Sequence, residues 1–332
     1  MRVTQHMLDD RLKEYDGLVD IYKKAFAVKN EKRDWRTYEQ RLALRIRTAS
    51  TEIEPVIKEA YEAIELPKSM RGKPSSLPVT KKVLILMLKD IFRLSNRKMT
   101  NMLAMFSALT GIDISYKTVE RAYSDPVARM VIHNAFVILT ERKGIKSSDT
   151  SGDGTGYGLT VTRHYRNERE KELKSRKGKR KGKKNELLRK RRPFVYAFAL
   201  MDLDTRMYIG YGTSIKSEKE AFDKAVAMAK SMGIAINSVR LDKYYSFKSI
   251  VKSFSRETKI YVIPKKNATI KGGAAWRRII CSFVFGPFGH LGQYFLRNNS
   301  ESGFSADKKT SGWQVFQVRE ERIDTAIMCK GL

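Results

Sequence analysis

Three acids far apart in the chain, Asp153, Asp242 and Glu301, are the side chains whose types suit phosphoryl-transfer chemistry. Breaking a phosphodiester without a protein nucleophile takes two hard cations, roughly 3.5–4 Å apart, that clamp the attacking and leaving oxygens. Hard cations take oxygen ligands, so the carboxylates must converge from separate elements. Taken singly, each acid reads as ordinary surface charge. Spacing sets one of them apart. The segment YFLRNNSESGFSADKK places Tyr294, Arg297, Glu301 and Lys308 in the order Tyr-x2-Arg-x3-Glu-x6-Lys. On a helix these four share one broad face, and Arg297 and Glu301 support each other at i,i+4. A plain amphipathic helix is the alternative for that segment.

The order matches the signature of insertion-sequence transposases of the DDE type, whose catalytic domain is RNase H-like. Two further segments agree. GDGTGYG resembles the family's first-strand Asp-x-Thr-Gly-aromatic block and gives Asp153, and LDKYYSF resembles its Asp-Lys-Gly-Tyr block and gives Asp242. The resemblance covers about residues 150–310. It implies that Asp153, Asp242 and Glu301 hold two Mg²⁺ (or Mn²⁺) ions, and that Tyr294, Arg297 and Lys308 hold phosphates near the transposon end. It implies cut-and-paste transposition: a cut that leaves a 3′-OH, then attack of that 3′-OH on target DNA. The implied partners are double-stranded DNA (terminal inverted repeats and target) and a second protomer, in a prokaryotic, nucleoid-associated, cytoplasmic setting. Some members of the family stack a flipped base on a tryptophan in the region of Trp276. A core tryptophan is the competing reading, given the apolar IICSFVF that follows.

The elements that position the acids are legible from residue 146 onward. GTGYGLTVTRHY reads as a strand, with Asp149 before it, and RPFVYAFALMDLDTRMYIGYGTSI as two strands joined at Asp202–Thr205. Ser217 caps a helix, VRLD is a strand ending at Asp242, YSFKSIVKSF a helix and KIYVIPK a strand, with helices after 274. This is an α/β fold, a five-stranded mixed sheet flanked by helices. The chain ends at Leu332 inside the helix-like IDTAIMCKGL, which points to a truncated or frameshifted copy.

Upstream the chain is all-helical. Residues 1–66 carry a helix over 6–29 and a second over 35–65, interrupted near Pro55. Residues 67–78, with three prolines, form a linker. Over 79–145, Thr80, Ser95 and Ser115 cap successive helices, and Gly111 makes a break before the last. That is a helix-turn-helix-like pattern, with Lys117 and Arg121 on the outward face of the final helix as DNA-reading candidates.

Charge agrees with a nucleic-acid partner. The chain holds 66 Lys+Arg against 36 Asp+Glu, a net +30. The densest run is the insertion 163–192, with 16 Lys or Arg against 4 Glu. Its core around Lys179, Arg180 and Lys181 has no apolar anchor and reads as an arm for phosphate backbones. Two distant cysteines exclude a zinc finger and argue against a disulfide scaffold. No apolar run approaches the ~20 residues that span a bilayer, and no GxxxxGK[ST] loop calls for a nucleotide cofactor. The rival readings are an RNase H-like nuclease without strand transfer and a DNA-binding protein whose acids have become structural.

Overall fold

The computed structural model describes residues 3–26, 34–66, 77–159, 194–317 and 319–332. The linker core 67–76 and the basic arm with Lys179, Arg180 and Lys181 lie outside them. A six-stranded mixed sheet organises the second half of the chain. Its strands are β1 (Ser147–Leu159), β2 (Phe194–Asp202), β3 (Tyr208–Ser214), β4 (Ala235–Arg240), β5 (Lys259–Tyr261) and β6 (Gln314–Val315), in the order β3-β2-β1-β4-β5, with β6 pairing β1. β1–β2 and β2–β3 are antiparallel, while β4 runs parallel to both β1 and β5. The five strands expected are present, and the two-residue β6 is the sixth.

β1 begins well before the glycines from which a strand was expected, so Asp149 lies inside it rather than ahead of it. Hydroxyls take the place of apolar side chains in that stretch. Ser148, Thr150 and Ser151 are buried. Ser148 Oγ donates to Asp202 at 2.5 Å and Thr150 Oγ1 to the Ser238 carbonyl at 3.0 Å. Buried polar groups are tolerated where such partners exist, but they leave no hydrophobic alternation to read. Asp202 does form the expected turn, its carboxylate accepting from the Thr205 amide at 2.8 Å and the Thr205 hydroxyl at 2.7 Å.

Helix α9 (Glu218–Ser231) follows β3, with Ser217 Oγ accepting from the Glu220 amide as its cap. It lies so close to β3 that a Cβ on Gly212 would stand 2.6 Å from the Ala225 amide nitrogen. Phe222 meets Phe198 edge-on at 5.1 Å. Burying one such ring contributes about 1.5–3 kcal/mol. The helix expected over YSFKSIVKSF is a 3-10 stretch, Lys248–Ser253, preceded by a 3-10 turn at Lys243–Tyr245.

The first eight helices are α1 (Gln5–Lys13), α2 (Tyr15–Ala25), α3 (Trp35–Glu62), α4 (Val79–Ile91), α5 (Asn96–Met105), α6 (Ser107–Thr110), α7 (Tyr116–Ala122) and α8 (Pro126–Arg142). The single helix expected over 6–29 is broken at Glu14, and α3 runs through Pro55 rather than stopping there. Only the second half of α3 is buried, through Val56, Ile57 and Ala60, so its core partners α4 and α8 hold the helix beyond the proline. Thr80 lies inside α4, whose N-cap is Pro78. Ser95 and Ser115 cap α5 and α7 as expected, accepting from the amides of Lys98 and Thr118. Gly111 takes the left-handed conformation, φ 64°, that ends α6 and suits a residue without Cβ.

Four elements close the fold: α10 (Ala274–Phe285), α11 (Pro287–Phe295), α12 (Asn298–Ser311) and, beyond β6, α13 (Glu320–Gly331). The segment read as a cut-off helix thus forms α13, with Ile323, Ala326 and Ile327 buried. No single helix among the described residues is long and apolar enough to cross a membrane.

His290 on α11 shows how tightly this end is packed. It is 1% exposed, with Nε2 3.2 Å from the Val262 carbonyl and Nδ1 3.0 Å from Ser282 Oγ. The neutral ring satisfies both contacts, donating to the carbonyl and accepting from the hydroxyl. Burial holds its pKa down, to about 4. The unfolded chain takes up this proton below about pH 6.5, and the fold does not until about pH 4. Stability tied to His290 is therefore lost as pH falls through that window, by about 3 kcal/mol in all. Asp307 and Asp153, whose pKa values are raised, act in the opposite direction. Denaturant melts of the parent and His290→Gln at pH 7 and pH 4.5 isolate the term by difference. The parent should lose ground to the variant on acidification.

Candidate active site

Three elements bring Asp242 and Glu301 near enough to Asp153 for their charges to act on it. Asp153 stands on β1, opposite Ala199 of β2. Asp242 follows β4 and caps the 3-10 turn after it, accepting from the Tyr244 amide at 3.2 Å. Glu301 lies in the first turn of α12, where the helix dipole favours an acid. The carboxyl of Asp153 is pushed up to about 7. Burial is the main cause; the negative charges of Glu301 and Asp242 add to it, while the Gly154 amide and Arg297 oppose it. Asp153 thus feels the negative charge of both other acids.

Arg297 is the cation set among them. Its Nη1 lies 2.5 Å from Glu301 and 3.8 Å from Asp242, and its guanidinium sits 5.3 Å from the centre of the Tyr294 ring. The acids do not form a closed cage: among the described residues no three His, Cys, Asp or Glu side chains are grouped to hold a metal ion.

The four signature residues do not share one unbroken helix. α11 ends at Phe295 and α12 starts at Asn298, with the turn between them tightened to i→i+3 bonds such as Leu296 N–H to Gln293 O and Arg297 N–H to Tyr294 O. Arg297 still reaches Glu301 across one turn, but Tyr294 is 5% exposed in the core beneath α1 and α2. Lys308 is also buried. Its ammonium donates to Thr155 Oγ1 at 2.5 Å, lies over the rings of Tyr157 and Trp313, and feels the charges of Asp153 and Asp307. Burial pulls its pKa below the usual lysine value.

Trp276 stands in the core reading. It is 2% exposed, and its indole N–H is spent on the Thr269 carbonyl at 2.9 Å, so no face is open to a base in this structure. Lys117 and Arg121 are exposed on α7, as expected of a reading helix.

Two supporting groups escaped the sequence reading. Arg240, two residues before Asp242, is buried and joins β1, β4 and α11: it donates to the Thr150 carbonyl, to Ser238 Oγ at 2.5 Å and to Gln293 Oε1. It thereby ties both acid-bearing strands to the helix leading into Arg297. An arginine inside the short strand VRLD was the available signal. On the other face Glu218 accepts from Tyr245 at 2.7 Å and fills the space left by Gly154. Asp149 faces Ser238 and Arg240, and so serves that cluster.

A scan against models of known protein families finds no match. A curated protein described as a probable transposase for insertion sequence element ISA1214, from Archaeoglobus fulgidus, is 39% identical over 331 residues. The match spans 100% of this chain and 95% of that protein, so every element that positions the acids falls within it. On identity of that extent, this chain belongs to the family of insertion-sequence transposases.

Proposed function

We propose that this protein is a DDE-type, RNase H-like transposase that cuts DNA at the inverted repeats of its element and joins the freed 3′-OH to target DNA. The carrying observation is that Arg297 joins Asp242, just after β4, to Glu301 on α12, while both acids act on the buried Asp153 of β1. The donor chemistry, all oxygen with surplus negative charge only partly offset by Arg297, suits a hard divalent cation, although in this structure the three carboxylates are not drawn together into a metal-holding group. Asp153, Asp242 and Glu301 would hold Mg²⁺ or Mn²⁺, two ions per site. When bound, the ions stabilise the charge that develops on the attacking and leaving oxygens.

The chain's own residues do the rest. Arg297 offers a planar fork to a phosphate, and Lys308 a point charge oriented by Thr155. Arg240 holds the strands and helix in register. Two protomers act together, since two ends must be joined. Joining separates this reading from a nuclease. Terminal DNA ending in 3′-OH should be joined to a target plasmid, and the same DNA ending in 3′-deoxyribose should not. Cutting without joining of either would favour the nuclease.

Lys117 and Arg121 on α7 would read the element's ends. Replacing either by Ala should cost ~1–3 kcal/mol on end DNA and relax sequence preference. Competition binding against random DNA checks this: equal losses on both would mean backbone contact only, and no loss would remove α7 from the interface.

A further inference from the structure

Two aromatic side chains stand exposed beside the acids. Trp313 immediately precedes the two-residue β6 and is 65% exposed. Its carbonyl accepts from the Gly158 amide at 3.0 Å, which fixes its backbone to the far end of β1. The Lys308 ammonium lies 4.5 Å from the centre of its indole. That lysine donates to Thr155, two residues along β1 from Asp153, and feels the Asp153 charge. Tyr244 follows Asp242 by two residues and donates its amide to that carboxylate. It is 54% exposed, with the Lys265 ammonium 5.6 Å from its ring centre.

Lone exposed rings are ordinary on a protein surface. This pair is set apart by its place and its company. One ring is tied to Asp153 through Lys308 and Thr155, the other stands next to Asp242, and each has a cation against it. An open aromatic face with a positive charge beside it is the pairing that holds single-stranded nucleic acid: the ring stacks on a base of any kind, and the cation attracts the phosphates. Within a duplex both faces of a base are covered by its neighbours, so a protein ring stacks on it only where the strand has been opened.

We propose that Trp313 and Tyr244 are stacking platforms for unpaired bases of the strand that crosses the acid site, so that DNA is taken up there with its strands parted. The proposal deepens the reading of Asp153, Asp242 and Glu301 as the cutting site and rests on it.

A short oligothymidylate and an abasic strand of equal length make a matched pair of probes, alike in phosphates but differing in the bases. With the full chain in chelator, fluorescence anisotropy should show the oligothymidylate bound roughly tenfold the tighter. Trp313→Ala and Tyr244→Ala should each lose roughly tenfold on the oligothymidylate and nothing on the abasic strand. Trp313→Phe, which keeps a ring, should retain most of the parental affinity. Equal parental affinity for the two strands, or a loss in either alanine variant that is absent or the same on both, would each overturn the proposal. Binding in chelator needs no cutting, so cleavage by Asp153→Asn tests the cutting-site reading separately.

Discussion

Changing Asp153 or Asp242 to Asn, or Glu301 to Gln, should lower cleavage at the element's ends by a thousandfold or more, while DNA binding and melting temperature stay near the parental values. Each substitution keeps side-chain volume but removes one charged oxygen ligand. Losing charge stabilisation of a few kcal/mol at a reacting centre corresponds to factors on the order of 10²–10³, and losing a metal costs more. Folding should not suffer. Asp153 is held in an environment that opposes its own ionised form, with burial and two acids pushing its carboxyl up to about 7. Replacing it with an amide relieves that repulsion. Melting temperature should therefore hold or rise slightly, a pattern a structural acid would not show. Single-turnover cleavage of labelled end DNA and thermal melts of the same preparations check both halves. A variant cutting at the parental rate would remove that residue from the site.

The largest structural effect should come from the contact between β3 and α9. At Gly212 a Cβ would stand 2.6 Å from the Ala225 amide nitrogen and closer still to the Ala221 carbonyl oxygen. Gly210 faces the Ala225 carbonyl in the same way. Both obstacles are backbone, so neither can be avoided by a rotamer change. Gly212→Ala should cost about 3 kcal/mol or more, because α9 must lift from the strand and open the contact between Phe222 and Phe198. For a chain of this size that is a fall of roughly 6 °C or more in Tm. Gly233, where a Cβ meets nothing within 4 Å but φ is 69°, provides the comparison: its cost on going to Ala should be backbone strain alone, about 1 kcal/mol. Equal losses at the two glycines would show that the helix–strand approach is not the constraint.

The candidate site could be read from the sequence wherever its signal was local. Tyr294, Arg297, Glu301 and Lys308 stand at fixed offsets, and Asp242 comes just after the short strand β4, so both could be read from short windows. The caps at Ser95, Ser115 and Ser217 were visible for the same reason. What escaped depended on partners distant in sequence. The first half of β1 is buried through hydroxyls that bond to β2 and β4, so it carries no alternation. Pro55 sits inside α3 because α4 and α8 pack against the turn that follows. The turn at Leu296–Arg297 leaves the helical spacing of the signature nearly unchanged, so spacing alone could not reveal it. Arg240 matters through Thr150 and Gln293, neither of which is near it in sequence.

The most direct test of the central claim follows the DNA product itself. A plasmid carrying the element's ends is incubated with the protein in Mg²⁺ or in chelator, and the broken strands are mapped and checked for attached protein. The acids on β1, just after β4 and on α12 predict breaks at the ends only with the metal, a free 3′-OH at each, and no covalent link between protein and DNA. Breaks that persist in chelator, or a strand end bonded to a protein side chain, would contradict it.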